Sequence, residues 1–299
     1  MVHVNQASNG NTENKFIEEI ETTLATNDSV SIFVRAWIPD KPQRILVCVQ
    51  GLGGHGGYYE ELACQEALKG TLVVAPDLRG HGCSEGSRGD IDGFERYLVD
   101  IDAAVTWAST TWPGTPIFVL GESMGASIAI QYVASEQYRA NQLPLAGLVF
   151  VSPVLSSAIR PTFAEVILFI RSLIVPKHPS IAVTGREELG CRDPAFNALL
   201  RADPLFVRLV SVRFLIQLTV WLRQSKRKAH QINLPLLVLL GGRDYVARRS
   251  GTSAFLRHVP AGEQRIVTFP QAYHCLLRDP DTPAVVKVLA SWLAEHSRP

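Results

Sequence analysis

The 299-residue chain has no run approaching the roughly 20 apolar residues that a membrane-spanning helix requires, so nothing in it reads as a transmembrane segment. It also has almost no net charge: the formal value is +1 at pH 7, which gives no footing for nucleic-acid binding. Cysteines are few, at Cys48, Cys64, Cys83, Cys191 and Cys275. Their odd number and lack of metal-type spacing point to reduced thiols in a cytoplasmic setting, not to a disulfide framework or a metal cluster. Residues 1–15 are polar and lack the apolar core of a signal peptide, so they read as a disordered lead-in. Internal repeats and low-complexity tracts are missing as well. What remains, 46% hydrophobic and 19% charged, is a globular chain long enough for one large domain with an insertion.

Two segments, 16–24 and 30–38, alternate β-branched or aromatic residues with polar ones, as an antiparallel strand pair does. From there the pattern changes to short continuous apolar runs at 44–49, 72–75, 117–120, 147–151 and 236–240, the signature of strands covered on both faces. Helical patterns fall between most of them, at about 58–69, 94–111, 124–136, 248–258 and 283–296. This alternation predicts an α/β fold, a mostly parallel sheet flanked by helices, whose ligands bind beyond the carboxyl ends of the strands. Residues 153–232 break the alternation with helical patterns and no clear sheet strand, a stretch too long for a simple connection. They are expected to form a helical cap, dividing the core into 16–152 and 233–299. Within it, 163–175 and 209–222 are apolar on nearly every side, which predicts buried helices packed on the sheet domain or lining an acyl tunnel.

Residues 116–126 read Pro-Ile-Phe-Val-Leu-Gly-Glu-Ser-Met-Gly-Ala: an apolar strand, a glycine, Ser123, a second glycine and the start of a helix. Such a strand-to-helix turn is tight enough to strain its serine, and Gly121 and Gly125 remove the Cβ atoms that would block it. The five-residue pattern alone decides little. Gly-x-Ser-x-Gly is expected by chance about 0.1 times in a chain of this length, and a second copy, Gly82 to Gly86 around Ser84, lies in a polar loop with no helix behind it. Context selects Ser123 as the nucleophile and leaves Ser84 a loop serine.

A serine hydroxyl needs a base, and the base needs a carboxylate to orient it. The run at 236–240 ends at Gly241-Gly242-Arg243-Asp244, and Tyr273-His274-Cys275 follows another strand-like run at 265–269. Asp244 and His274 therefore stand at strand ends in the order Ser, acid, His that this turn demands. His55, His81, His178, His230, His258 and His296 read as solvated or capping residues, and Cys275 as incidental. For the oxyanion, the glycine loop Gln50 to Gly57 after the first buried strand offers the amide of Leu52, opposite that of Met124. Gly51, Gly53 and Gly56 also satisfy Gly-x-Gly-x-x-Gly with Asp77 about 20 residues on, a dinucleotide fingerprint. A nicotinamide site, however, would leave the Ser123, Asp244, His274 order unexplained.

From about residue 30 to 297 the chain resembles the monoacylglycerol lipase and lysophospholipase branch of the α/β-hydrolases, with a serine aminopeptidase S33-type hydrolase domain. The resemblance rests on residues 50–63, on Pro76-Asp77-Leu78-Arg79-Gly80-His81-Gly82-Cys83-Ser84, on Gly121 to Gly125, on Ala202-Asp203-Pro204-Leu205, on Gly242-Arg243-Asp244 and on Ala272-Tyr273-His274. It implies Ser123 as nucleophile, His274 as base, Asp244 as its orienter, Leu52 and Met124 as oxyanion donors, and no metal or organic cofactor. Gln50 stands where the family usually has histidine and Ala126 where a third glycine is frequent, and the cap is far less alike than the core.

The expected cap carries twelve basic residues against five acids, which leaves about −6 for the remainder. A greasy, positively charged cap suits an anionic membrane surface and a single acyl chain. Phe163, Ile167, Ile170 and Ile174 are its candidate substrate contacts. The expected activity is hydrolysis of single-acyl lipid esters, monoacylglycerol or lysophospholipid, by a cytoplasmic protein that touches membranes peripherally. A peptidase or amidase with the same triad, and a non-catalytic binding module, are the rival readings.

Overall fold

The computed structural model describes residues 17–141, 143, 145–158, 167, 170, 180–182, 187–260 and 262–297. The expected lead-in at 1–15 lies outside them. Eight strands form one sheet in the order β1-β2-β4-β3-β5-β6-β9-β10. They are β1 (Ile17–Ala25), β2 (Ser31–Pro39), β3 (Arg44–Val49), β4 (Thr71–Pro76), β5 (Ile117–Glu122), β6 (Leu145–Val151), β9 (Leu236–Gly241) and β10 (Gln264–Phe269). β1 and β2 are antiparallel, β2 pairs antiparallel with β4, and every later neighbour is parallel. This is the α/β-hydrolase arrangement that the resemblance implies.

The continuous apolar runs have the expected cause. Every residue of β3 and β4 is buried, because alternate side chains enter separate cores on the two faces. Ile45, Val47 and Val49 join one core, with Val119 of β5 and Val238 of β9. Leu46 and Cys48 join the other, with Phe118, Leu120 and Leu237. Helices α2 (Arg96–Thr111) and α3 (Met124–Val133) cover the first face, and α9 (Thr282–His296) covers the second, through Val285, Leu289 and Trp292.

Two expectations need correction. The helical pattern at 58–69 is a short helix, α1 (Glu60–Ala63), between two 3-10 turns. The amide of Gly56 is pinned at 2.6 Å to the buried carboxylate of Asp77, and a Cβ there would lie 2.4 Å from the carbonyl oxygen of Ala75, so the chain enters this region as a tight loop. The segment 209–222 is not a helix buried on all sides. Leu209–Ser211 is a strand, β8, paired antiparallel with β7 (Ser180–Ala182), and the helix that follows spans Val212–Arg227. That helix is amphipathic: Phe214, Trp221 and Ser225 are buried while Ile216 and Val220 are exposed. Ser225 is tolerated inside because its hydroxyl donates to the carbonyl oxygen of Trp221 at 2.8 Å. With α4 (Glu136–Asn141), α5 (Glu187–Gly190), α6 (Pro194–Ala202) and α8 (Arg249–Leu256), Val212–Arg227 is α7. Among the described residues no helix is long and apolar enough to cross a membrane.

Candidate active site

β5 ends at Glu122 and α3 starts at Met124, leaving Ser123 alone to turn the chain. It does so at φ 55° and ψ −113°, a left-handed conformation that costs a non-glycine residue about 1–3 kcal/mol. The surroundings hold it there, since its amide donates to Val151 O at 2.9 Å and its carbonyl accepts from Val154 N at 3.1 Å. The flanking glycines are sterically required. A Cβ on Gly121 would sit 2.5 Å from the Cα of Ala126, and one on Gly125 would sit 2.1 Å from the carbonyl oxygen of Val49.

The three residues expected from chain order are brought together. His274 Nε2 lies 2.8 Å from Ser123 Oγ, and His274 Nδ1 lies 2.7 Å from Asp244 Oδ2. A carboxylate only accepts, so Nδ1 carries the proton and Nε2 is left with its lone pair toward the serine. The other oxygen of Asp244 accepts the amides of Val246 and Ala247, each at 2.8 Å, which fixes the carboxylate beyond the end of β9. Gly241 allows the histidine loop to close over that strand end, where a Cβ would lie 2.2 Å from the carbonyl oxygen of Tyr273. Both side chains of the pair are about 10% exposed or less, so the hydrogen bonds are shielded from water without being sealed off.

The glycine loop passes directly over the serine, with the Cβ position of Gly51 3.0 Å from Ser123 Cβ. Leu52 follows it, and Met124 opens α3 with its amide free of any helical partner. Both amides thus belong to chain segments bordering Ser123. Gln50, where the family usually has histidine, is buried. With its amide oriented to satisfy both atoms, it donates to Pro76 O at 2.9 Å and accepts from Leu78 N at 3.0 Å, tying this loop to the one after β4.

The dinucleotide alternative loses its acidic residue. Asp77 is fully buried and accepts from Gly56 N and Cys83 N at 2.6 and 2.8 Å, so no carboxylate is left to meet a ribose. Ser84, the second Gly-x-Ser-x-Gly serine, is a loop staple that donates to Asp77 O at 2.6 Å and accepts from Phe33 N at 2.7 Å. All five cysteines are unpaired. Burial pushes the thiol of Cys275 well above its ordinary pKa, with the nearby Glu122 carboxylate adding to the effect, and this leaves it protonated and unreactive. Among the described residues no three His, Cys, Asp or Glu side chains converge as metal ligands would.

Of the four candidate substrate contacts, Phe163 and Ile174 lie outside the described residues. Ile167 and Ile170 are 42% and 52% exposed, so at these two positions the expected burial against the sheet domain does not occur. One group that the sequence reading missed is His55. Its sequence position predicts a solvated or capping residue, and it does cap a 3-10 turn, but it is buried and bonded across 148 residues to Asp203. Asp203 was visible only as part of a motif.

A family model described as "Serine aminopeptidase, S33" matches residues 40–281. A monoglyceride lipase of Mus musculus is 30% identical over 281 residues, covering 91% of this chain and 90% of its own. A monoacylglycerol lipase of Mycolicibacterium smegmatis is 26% identical, covering 92% and 97%. Among solved structures, a monoacylglycerol lipase of Paleococcus ferrophilus superposes with a TM-score of 0.74 at 26% identity, over 89% of this chain and 99% of its own.

Proposed function

The chain belongs to the family described as serine aminopeptidase, S33, and on that premise we propose that it hydrolyses the carboxylic ester of monoacylglycerol through an acyl-enzyme on Ser123. Ester hydrolysis as the reaction rests on the family and on monoglyceride lipase relatives aligned over nine-tenths of the chain. The residue roles rest on one observation above all, the unbroken hydrogen-bonded chain from Ser123 through His274 to Asp244.

In this reading His274 Nε2 takes the proton of Ser123 as Oγ attacks the ester carbonyl. Asp244 holds the imidazole and stabilises the imidazolium. The amides of Leu52 and Met124 receive the tetrahedral oxyanion, each donor contributing about 3–4 kcal/mol. His274 then protonates the departing glycerol and next activates the water that releases the fatty acid. In the same reading residues 153–232 serve as the cap between core parts 16–152 and 233–299, and Ile167 and Ile170 are among the residues that meet the acyl chain.

Peripheral contact with an anionic membrane is the second part of the proposal. Among the described residues, seven of the nine exposed large hydrophobic side chains, including Leu199, Leu209, Ile216 and Val220, lie in residues 153–232, which also hold the basic excess. Exposed apolar side chains in a basic stretch of chain match an interface of acyl chains and anionic headgroups. The test is a panel of monoacylglycerols, lysophospholipids, diacylglycerols and aminoacyl amides given to the purified protein. Fastest turnover of monoacylglycerol is expected, and a preference for the amides would move the protein to the peptidase reading.

A further inference from the structure

Asp203 belongs to the motif Ala202-Asp203-Pro204-Leu205. It follows α6, in the cap, yet it is joined to the glycine loop of the core. Its Oδ2 lies 2.9 Å from His55 Nε2 and accepts the hydroxyl of Tyr58 as well, while Oδ1 accepts Leu205 N at 2.8 Å. Burial raises the pKa of this carboxyl, but the hydrogen bonds from Tyr58, His55 and the Leu205 amide outweigh it and hold the group below the usual carboxylate range. On the far side of the imidazole, Gly57 N donates to His55 Nδ1 at 3.1 Å. An amide can only donate and a carboxylate can only accept, so His55 is the neutral Nε2–H tautomer, relaying the cap carboxylate to the backbone of the loop.

The same cap segment grips the loop at a second point. Val207 N donates to Gly53 O at 2.9 Å. Gly53 has φ +82°, and a Cβ there would lie 2.8 Å from the ring of Phe206. Leu52 is bracketed by Gly51, which touches Ser123, and Gly53, which touches the cap. Tyr58 is steadied in turn by a tilted ring contact with His55, centroids 4.3 Å apart, and edge-on by Phe196 at 5.8 Å.

We propose that Asp203 is a positioning residue for the oxyanion hole: through His55 and Tyr58 it clamps the glycine loop so that the Leu52 amide faces the carbonyl attacked by Ser123. The proposal rests on the ester-hydrolase reading above and adds that the cap supplies part of the catalytic geometry. A donor aimed at an oxyanion acts only once charge develops, so misplacing it costs kcat and spares KM.

The experiment compares Asp203→Asn with Asp90→Asn. Asp90 makes another carboxylate clasp to the cap, bound by Arg213 and Ser211, and takes no part in the glycine loop. With a soluble short-chain p-nitrophenyl ester, Asp203→Asn is expected to lower kcat about 10- to 100-fold, with KM changed less than about threefold. Labelling by a fluorophosphonate, whose phosphoryl oxygen uses the same hole, should slow by a similar factor. Asp90→Asn should lower the melting temperature comparably and leave kcat within about twofold. Tyr58→Phe, which removes a single hydroxyl, should show the same kcat-only loss in smaller degree, and it carries the test if Asp203→Asn does not fold. If Asp203→Asn, or Tyr58→Phe in its place, behaves like Asp90→Asn or loses affinity instead of kcat, the clamp is refuted. A wild-type protein that neither turns over esters nor is labelled refutes the hydrolase reading itself.

Discussion

The sheet core and the chain between β6 and β9 use the same apolar residue types in opposite ways. In β3 and β4 every residue is buried and alternate side chains fill two separate cores. In the chain between β6 and β9, Leu209, Ile216 and Val220 stand exposed on a helix and strand that bury only one side. The core holds the reacting atoms within hydrogen-bonding distance, which demands rigidity. The chain between β6 and β9 leaves apolar side chains facing solvent. Asp203 is one of the residues that join them, a carboxylate from the chain between β6 and β9 closed onto the glycine loop.

Substitutions at matched cost in volume should separate the two regions. The largest effect is expected for Gly125→Ala, whose added methyl would lie 2.1 Å from the carbonyl oxygen of Val49 and push α3 off β3. A loss of about 3 kcal/mol or more in urea unfolding is expected, together with most of the activity. An unchanged urea midpoint would mean that the core is less tightly built at the elbow than described.

An intermediate effect should come from pH. His81 is buried; its Nδ1 lies 3.2 Å from Arg79 O and its Nε2 has no partner among the described residues. Burial pushes its pKa down to about 4. The unfolded chain, with an ordinary value near 6.5, binds the proton more readily, so this group's contribution is complete above pH 6.5 and is lost as the pH falls toward 4. About 3 kcal/mol is at stake over that window. Unfolding curves measured from pH 7 to 4 should steepen this decline in the wild type relative to His81→Gln, and parallel curves would remove His81 as the cause.

The smallest effect on folding should come from the cap surface. Leu209→Ser, Ile216→Ser and Val220→Ser are each expected to change stability by about 0.5 kcal/mol or less. Combined, they should weaken co-sedimentation with anionic vesicles while leaving turnover of a soluble ester intact. A triple variant that unfolds would show that this surface is core after all.

How far the sequence foretold each region follows the same division. β3 at Arg44–Val49 was legible to the residue, because a strand covered on both faces leaves an uninterrupted apolar run. Ser123, Asp244 and His274 were legible because the turn geometry imposes glycines and the fold imposes an order. The stretch 209–222 reads as wholly buried, yet the helix there, Val212–Arg227, buries one face. Its leucines, isoleucine and two valines spread around the axis, and the inward face includes a serine that satisfies itself on the preceding turn. β7 and β8 have three residues each, too few for a periodic signal. The bond between His55 and Asp203 joins two loops 148 residues apart, and no local pattern encodes such a pairing.

The central claim is that ester cleavage passes through an acyl group carried by Ser123. Intact-protein and peptide mass spectrometry on samples acid-quenched during turnover of a short-chain ester tests it directly. The account predicts a mass increase of one acyl group, located on the peptide containing Ser123 and missing from Ser123→Ala. Turnover by Ser123→Ala at the wild-type rate, or an acyl group carried on another residue such as Ser84, would contradict it.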